Sequence, residues 1–350
     1  MDINNIYETR TMLEAIKHIP SNEQFLQATF VRGRKTFPTE SFDIDIVKGK
    51  KKMAPFVATY KNGVMLGRGQ ITTMNYKPAK IQPKRPITVE TLEQRLAGEA
   101  VYSGKTPAQR KQELLAGDMG DLDGAIRRRF EWMIAQILTT GGFVAPVMAD
   151  ENEAFDEIEF DYGHDQHTVL ETGKKWSLEN AAVSTPIDDL RDMCETVADG
   201  CGEYPTIALL GADAVKGFLA SKQVKEDMDN RRINLGYVDP SFKSKHVKFV
   251  CKLLDPAIEI YQYAESYVDD ANVSHKFIPA NKAVVACEDI FDMMFGAVTQ
   301  MEDDKDFHTY MGEIVPKVDA NVSENVMTLT MTSRPIPVPF DVNAWGILDV

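Results

Sequence analysis

The stretch from Thr106 to Gly142 constrains the fold of this chain more than any other. Its apolar residues Leu115, Met119, Leu122, Ile126, Phe130, Met133 and Ile137 recur at intervals of 4, 3, 4, 4, 3 and 4, tracing one stripe of an amphipathic helix. Thr106-Pro107 supplies a cap followed by proline at the first helical position, and Gly141-Gly142 stops the run. At about 1.5 Å of rise per residue, such a helix spans roughly 50 Å. Asp118, Asp121, Arg127, Arg128 and Arg129 are expected on the remaining, solvent-facing surface. Gly117, Gly120 and Gly124 each weaken a helix by about 1 kcal/mol relative to alanine, so a bend or break is expected among them. A helix of this length with one apolar stripe is a spine on which a sheet can pack. A core helix of an α/β enzyme satisfies the same pattern.

Charge divides the chain sharply. The formal net charge is −14, yet residues 32–85 carry 13 Lys/Arg against only Glu40, Asp43 and Asp45, a net of +10. Residues 1–31 have a net of −2, and residues 86–350 a net of −22. Such a split fits an arm that binds nucleic acid or an arm that lies on an acidic protein surface, including that of another copy of the chain. A basic face left to solvent is the plain alternative.

The basic stretch reads as a long β-hairpin. Phe42-Asp43-Ile44-Asp45-Ile46 alternates apolar and acidic residues, as a half-buried strand does. Asn62-Gly63, between Phe56–Tyr60 and Val64-Met65-Leu66, is a strong turn signal, and a threonine-rich return strand runs from Gln70 to Tyr76. Lys48, Lys50, Lys51 and Lys52 cluster on the outgoing arm. Pro78, Pro83 and Pro86 close the segment with extended backbone. A two-stranded hairpin buries too little to be stable alone, so it must lie on something. Gly67-Arg68-Gly69 opens no helix and lacks a phosphate-loop pattern.

Before the hairpin, Ile6, Met12, Leu13, Ile16 and Ile19 predict a short amphipathic helix, then an arm with Phe25, Leu26 and Phe30. After the spine, the uncharged run Trp132–Ala149 reads as the helix end plus a buried loop, not a membrane span. Ile158, Phe160 and Tyr162 alternate with acidic residues, predicting a strand with an acidic outer face. From Thr185-Pro186 onward, helices over Asp188–Val197 and Ala212–Ala220 alternate with strands at Thr206–Leu210, Val247–Leu254, Ile258–Tyr263 and Lys282–Ala286. That order marks a mixed α/β domain over roughly 186–320, with Val215, Phe218 and Leu219 on one side of the second helix. Met327, Leu329 and Met331 alternate with threonines in a further strand. Pro335, Pro337 and Pro339 confine the next segment to an edge strand or an extended tail, and Ala344-Trp345-Gly346-Ile347 is an apolar anchor.

Nothing in the chain selects a reaction. Nucleophile-elbow, zinc-hydrolase, Walker and dinucleotide fingerprints are all missing. Cys194, Cys201, Cys251 and Cys287 lack metal or disulfide spacing and read as reduced, mostly buried thiols. His164 and His167 lack a nearby third ligand and read as exposed loop residues. Met1–Asn5 has no secretory-signal character. No cofactor or metal site is expected, and assembly explains the pattern better than catalysis.

Short motifs then accumulate in a telling order: Thr36-Phe37-Pro38, the basic hairpin, Lys77-Pro78 with Pro83-Lys84, the spine, Phe155-Asp156 with Asp161-Tyr162-Gly163, and Lys175-Trp176-Ser177 before Pro186-Ile187-Asp188-Asp189. Val224-Lys225-Glu226, Arg231-Arg232 and Phe277-Ile278-Pro279-Ala280-Asn281 follow. Together, over nearly the whole chain, they resemble the major capsid proteins of tailed phages, of the phage lambda head-protein (capsid protein E) type. The resemblance implies an α+β fold of the Hong Kong 97 phage capsid kind. It would comprise an N-arm (1–31), an E-loop hairpin (32–85), a peripheral domain with the spine (86–185), an axial domain (186–320) and a C-terminal return to the peripheral domain (321–350). It implies self-assembly through hexamers and pentamers into an icosahedral shell enclosing double-stranded DNA, with a portal protein and possible scaffold and decoration proteins as partners. The protein would be a virion component assembled in the host bacterial cytoplasm, with no membrane contact. Lys48, Lys50, Lys51, Lys52, Phe56, Tyr60 and Arg68 are then the expected intersubunit contacts. An encapsulin-type compartment shell shares the implied fold, and a monomeric α/β enzyme is the alternative from another class.

Overall fold

In the computed structural model of the protein, the described residues are Thr9, Met12, Leu13, Ile16, and 24–48, 70–94, 106–150, 153–228, 236–237, 241–244, 246–269, 273–302 and 305–350. The chain forms two compact units. The first comprises Met1–Ser41, Lys77–Ile134 and Asp292–Val338, the second Phe42–Tyr76, Ala135–Phe291 and Pro339–Val350.

The spine forms as one helix, Pro107–Thr140, without a break at its glycines. A methyl group at Gly117, Gly120 or Gly124 would meet nothing within 4 Å, so these positions are open and the helix tolerates them. Its start is a reciprocal cap: Gln109 N–H donates to Thr106 Oγ1 at 3.3 Å and Thr106 N–H to Gln109 Oε1 at 2.9 Å. The apolar stripe is buried from Leu115 to Ile137, as its spacing requires. The charges do not all face solvent, however: Asp118 and Arg127 are buried, and so are Asp123 and Glu131.

Each buried charge has a partner that explains its place. Arg127 Nε donates to Asp123 Oδ2 at 2.8 Å, one helical turn back. Glu131 accepts from the backbone N–H groups of Leu26 at 2.7 Å and Gln27 at 3.1 Å, in the first turn of a helix, Phe25–Phe30. That helix has no side-chain cap of its own, so a carboxylate from the spine fills the role. Phe25, Leu26 and Phe30 therefore belong to a docked helix, where an arm was expected. Phe130 meets Phe295 edge-on, with centroids 5.6 Å apart, in the same core.

Two three-stranded sheets complete the first unit. One orders Val31–Thr36, Phe291–Phe295 and Pro335–Pro339. The proline-bearing strand takes an edge, as its missing donors require, and all five of its residues are buried. The other orders Val315–Asn321, Val326–Thr332 and Lys84–Thr88. Leu329 and Met331 are buried as expected, but so are Thr330 and Thr332, so the strand's inner half is covered on both faces.

The second unit is built on an eight-stranded mixed sheet. Its centre is Ile207–Leu210, buried throughout, parallel to Glu259–Tyr263 on one side and antiparallel to Lys282–Ala286 on the other. Trp345–Asp349 pairs with Lys282–Ala286, so the last strand lies beside the strands of the 186–320 segment. The helix Pro186–Cys201 packs Leu190, Met193, Cys194 and Val197 inward. It seats directly on Gly346, where an added methyl would come 2.2 Å from Met193 Sδ. In the helix Ala212–Ala220, Val215 and Phe218 are buried, while Leu219, at the rim of the same side, is 40% exposed.

Candidate assembly surfaces

The hairpin stem forms as the alternation predicts. Phe42–Lys48 and Gln70–Tyr76 pair antiparallel in unbroken register, from Phe42↔Tyr76 to Lys48↔Gln70, as a sheet of two strands. Asn75 Nδ2 donates to Asp43 Oδ1 across one of these pairs at 2.6 Å. Of the expected contact residues, Lys48 closes the stem. Lys50, Lys51, Lys52, Phe56, Tyr60 and Arg68 lie outside the described residues, as does the Asn62-Gly63 turn.

The flanks of the basic stretch do not belong to the hairpin. Val31–Thr36 pairs within the first unit's sheet and Lys84–Thr88 within its other. Their charges find partners in their own chain. Arg34 bonds Glu313 at 2.8 Å, Lys35 bonds the buried Asp292, and Lys77 lies 3.7 Å from Glu40, which Arg334 also holds. The Arg334 hydrogen bond keeps the Glu40 carboxyl below its usual pKa. Arg85 Nη1 reaches two spine carboxylates, Asp118 at 2.7 Å and Asp121 at 2.9 Å. Those hydrogen bonds raise its pKa, Asp118's first. At least four of the thirteen basic residues in 32–85 are thus paired internally, and what remains concentrates toward Lys48–Arg68.

A second two-stranded ribbon follows the spine, where a buried loop was expected. Gly142–Asp150 and Glu153–Asp161 pair antiparallel. Phe143 stacks on Phe160 with centroids 4.6 Å apart, and Ala145 is buried beside them. The opposite face is open: Val144, Pro146, Glu157, Glu159 and Asp161 are all exposed.

The histidines divide. His167 is exposed, with Nε2 3.0 Å from Asp349. His164 is half-buried, not in an exposed turn: its ring stacks on Trp345 at 4.4 Å and its Nδ1 lies 2.7 Å from the Val342 carbonyl. Among the described residues, no group of three or more His, Cys, Asp or Glu is placed to hold a metal ion. No helix among them is long and apolar enough to cross a membrane.

A long spine helix, a mixed-sheet unit bearing helices and a two-stranded hairpin together define the Hong Kong 97 type of phage capsid fold. The chain belongs to the phage major capsid protein E family, whose model matches residues 8–350. The major capsid protein of Escherichia phage lambda is 23% identical over 283 residues, 80% of each chain. A solved prophage chain of E. coli CFT073, described as a capsid protein, superposes with a TM-score of 0.70 at 19% identity, covering 98% of both chains. A phage-related protein from Bordetella bronchiseptica RB50 gives 0.55 at 10% identity, covering 97% of this chain and 96% of that one. These structures share the fold. Family membership selects the phage-shell reading over the encapsulin and enzyme alternatives: the chain is a major capsid protein of a tailed phage, a structural component of the virion.

Proposed function

We propose that copies of this chain assemble as hexamers and pentamers into an icosahedral shell around double-stranded DNA, each subunit laying its basic hairpin on a neighbour. The observation that carries this reading is the bare stem: seven residue pairs from Phe42↔Tyr76 to Lys48↔Gln70, with no third strand beside them among the described residues. Such a ribbon is marginal alone and needs an external surface. In this reading residues 1–31 are the N-arm, 32–85 the E-loop with its two ends anchored as strands in the first unit, 86–185 the peripheral domain, 186–320 the axial domain and 321–350 the return to the peripheral domain, except that its last strand, Trp345–Asp349, joins the sheet of the 186–320 segment.

Exposed ion pairs contribute about 0–1 kcal/mol each, so the lysines set register while burial of Phe56 and Tyr60 supplies more of the affinity. A net charge of −22 over residues 86–350 suits enclosure of DNA without adhesion, since tight nonspecific binding would need phosphate-neutralising Lys/Arg surfaces. A portal protein fits as partner at one vertex, with scaffold and decoration proteins as further candidates, and assembly belongs in the host bacterial cytoplasm.

Negative-stain electron microscopy with light scattering on the purified protein tests the reading. Closed shells, or rings of five and six, are expected. A monomer that never assembles, even with scaffold and portal supplied, would overturn it. Replacing Lys50, Lys51 and Lys52 with glutamine should impair assembly while leaving the monomer folded. Normal shells with unchanged salt sensitivity would remove the hairpin from the account.

A further inference from the structure

We propose that Cys201 and Cys287 are a thiol pair that closes to an intramolecular disulfide, with a low-molecular-weight disulfide as the oxidant. Closure ties the C-terminal end of the helix Pro186–Cys201 to the end of the strand Lys282–Ala286, inside the second unit.

The turn after the helix brings the two thiols together. Cys201 is the last helical residue, and Gly202 follows in the left-handed conformation, φ 78° and ψ 15°, with its N–H on the Ala198 carbonyl at 2.8 Å. That reversal carries Glu203 back over the helix end. The Glu203 N–H donates to Cys201 Sγ at 3.4 Å, and the Glu203 carbonyl accepts from Cys201 Sγ at 3.3 Å and from Cys287 Sγ at 3.9 Å. Cys287 directly follows its strand and is fixed there, its N–H donating to the Ala344 carbonyl at 3.0 Å. Two sulfurs held on one carbonyl oxygen are no more than about 7 Å apart, a gap that rotation about the two Cα–Cβ bonds can close. The thiols already act on each other: burial pushes Cys287 up to about 12, and the charge and hydrogen bonding of Cys201 work in the same direction.

Position excludes the other pairings. Cys194 precedes Cys201 on the same helix by about 10 Å along the axis, whereas a disulfide needs Cα atoms within about 7 Å. Cys251 stands on Val247–Leu253, three strands across the sheet from Lys282–Ala286, at roughly 14 Å. Cys194 does influence Cys287, but both are buried, and Cys194 is hydrogen-bonded to Tyr204. Cys201 is only partly covered and adjoins the exposed Gly202 and Glu203, so a solute meets it first.

The exchange balances. The Cys201 thiolate attacks one sulfur of the small disulfide, forming a mixed disulfide and releasing one thiol. Cys287 Sγ, giving up its proton, then attacks Cys201 Sγ and displaces the second thiol. Two protein thiols are oxidised, one small disulfide is reduced to two thiols, and the cysteine protons leave with them. The bridge encloses the long loop 201–287, the kind of cross-link that stabilises most. Reducing compartments keep such pairs open and oxidising ones let them close, so a virion component changes state on leaving its host. That timing rests on the assembly reading above; the closure does not.

Oxidised glutathione, added at about pH 8 to the reduced, unassembled full-length chain, tests the pair. The parent should lose two of its four thiols, and mass spectrometry of a non-reducing digest should find Cys201 joined to Cys287. The oxidised chain should melt about 5 °C above the reduced one. Cys287→Ala should stop at a glutathione adduct on Cys201, Cys201→Ser should take up none at Cys287, and neither should gain the melting shift. Cys251→Ser should behave as the parent. A parent that also stops at the Cys201 adduct, that joins Cys201 to a different cysteine or a second chain, or that keeps all four thiols would overturn the proposal. The parent decides this without any variant, and none of these outcomes bears on whether shells form.

Discussion

Glu131, fully buried in the spine helix, accepts the backbone N–H of Leu26 at 2.7 Å, and the neighbouring Gln27 N–H at 3.1 Å. Gln27 Nε2 adds a third donor at 3.3 Å and also bonds the Arg127 carbonyl at 3.0 Å. A carboxylate is costly to bury, and these donors are what make the position tolerable. Glu131→Ala leaves buried donors without an acceptor and should cost about 3 kcal/mol, whereas Glu131→Gln keeps one acceptor and should cost about half as much. Urea unfolding of the unassembled subunit measures both. An alanine variant as stable as the parent would show that the helix Phe25–Phe30 does not need this cap.

Arg85 divides one guanidinium nitrogen between two unequal partners. The Asp118 side chain is 12% exposed and that of Asp121 70%. Solvent screens the second pair far more, so its coupling should be below about 0.5 kcal/mol, and that of Arg85 with Asp118 about 1 kcal/mol. Double-mutant cycles with Arg85→Ala, Asp118→Ala and Asp121→Ala separate the two. Equal couplings would mean that burial does not set the ranking.

These two examples mark where sequence reading reaches its limit. The spine was legible because Leu115 through Ile137 keep one helical period, and the stem because Phe42–Ile46 alternates. Both signals are local. Asp118 reads as solvent-facing and Glu131 carries no local signal of its role, because nothing nearby in sequence announces Arg85 or Leu26, which come from 33 and 105 residues away. Val31–Thr36, with the sequence VRGRKT, looks like part of a basic arm, and only pairing with Phe291–Phe295 makes it a strand. The ribbon's first strand was missed because Gly142–Asp150 continues the uncharged run of the helix and contains Pro146. The acidic outer face of its second strand was readable by alternation, but not what the exposed face meets.

Thiol reactivity should separate Cys201 from the other three cysteines. Cys194, Cys251 and Cys287 are buried, and burial pushes each thiol up to about 12, so thiolate is scarce near neutral pH. Cys201 is only partly covered, at the end of the helix Pro186–Cys201. Iodoacetamide at about pH 8 should modify Cys201 first, with the others reacting only on unfolding. Mass spectrometry of the digested protein reads this directly. Equal labelling of all four in the native state would contradict the burial.

His164 should make stability depend on pH. Burial lowers its pKa, outweighing hydrogen bonds to Val342 and Gln166 that act the other way. The 2.7 Å contact assigns the ring proton to Nδ1, donating to the Val342 carbonyl while the ring lies flat on Trp345. The unfolded chain takes up a second proton below about pH 6.5, and the folded chain resists it, so the unfolded state binds more protons in that window. Stability therefore falls as pH drops below about 6.5, by at most about 1.4 kcal/mol per pH unit from this one group. His164→Phe keeps an aromatic ring over Trp345, removes the titration and leaves the Val342 carbonyl without its donor. The variant should be less stable than the parent at pH 7.5 but lose less on going to pH 5.5. Thermal melts of the unassembled subunit at both pH values decide it, and a parallel fall in parent and variant would assign the acid sensitivity to other groups.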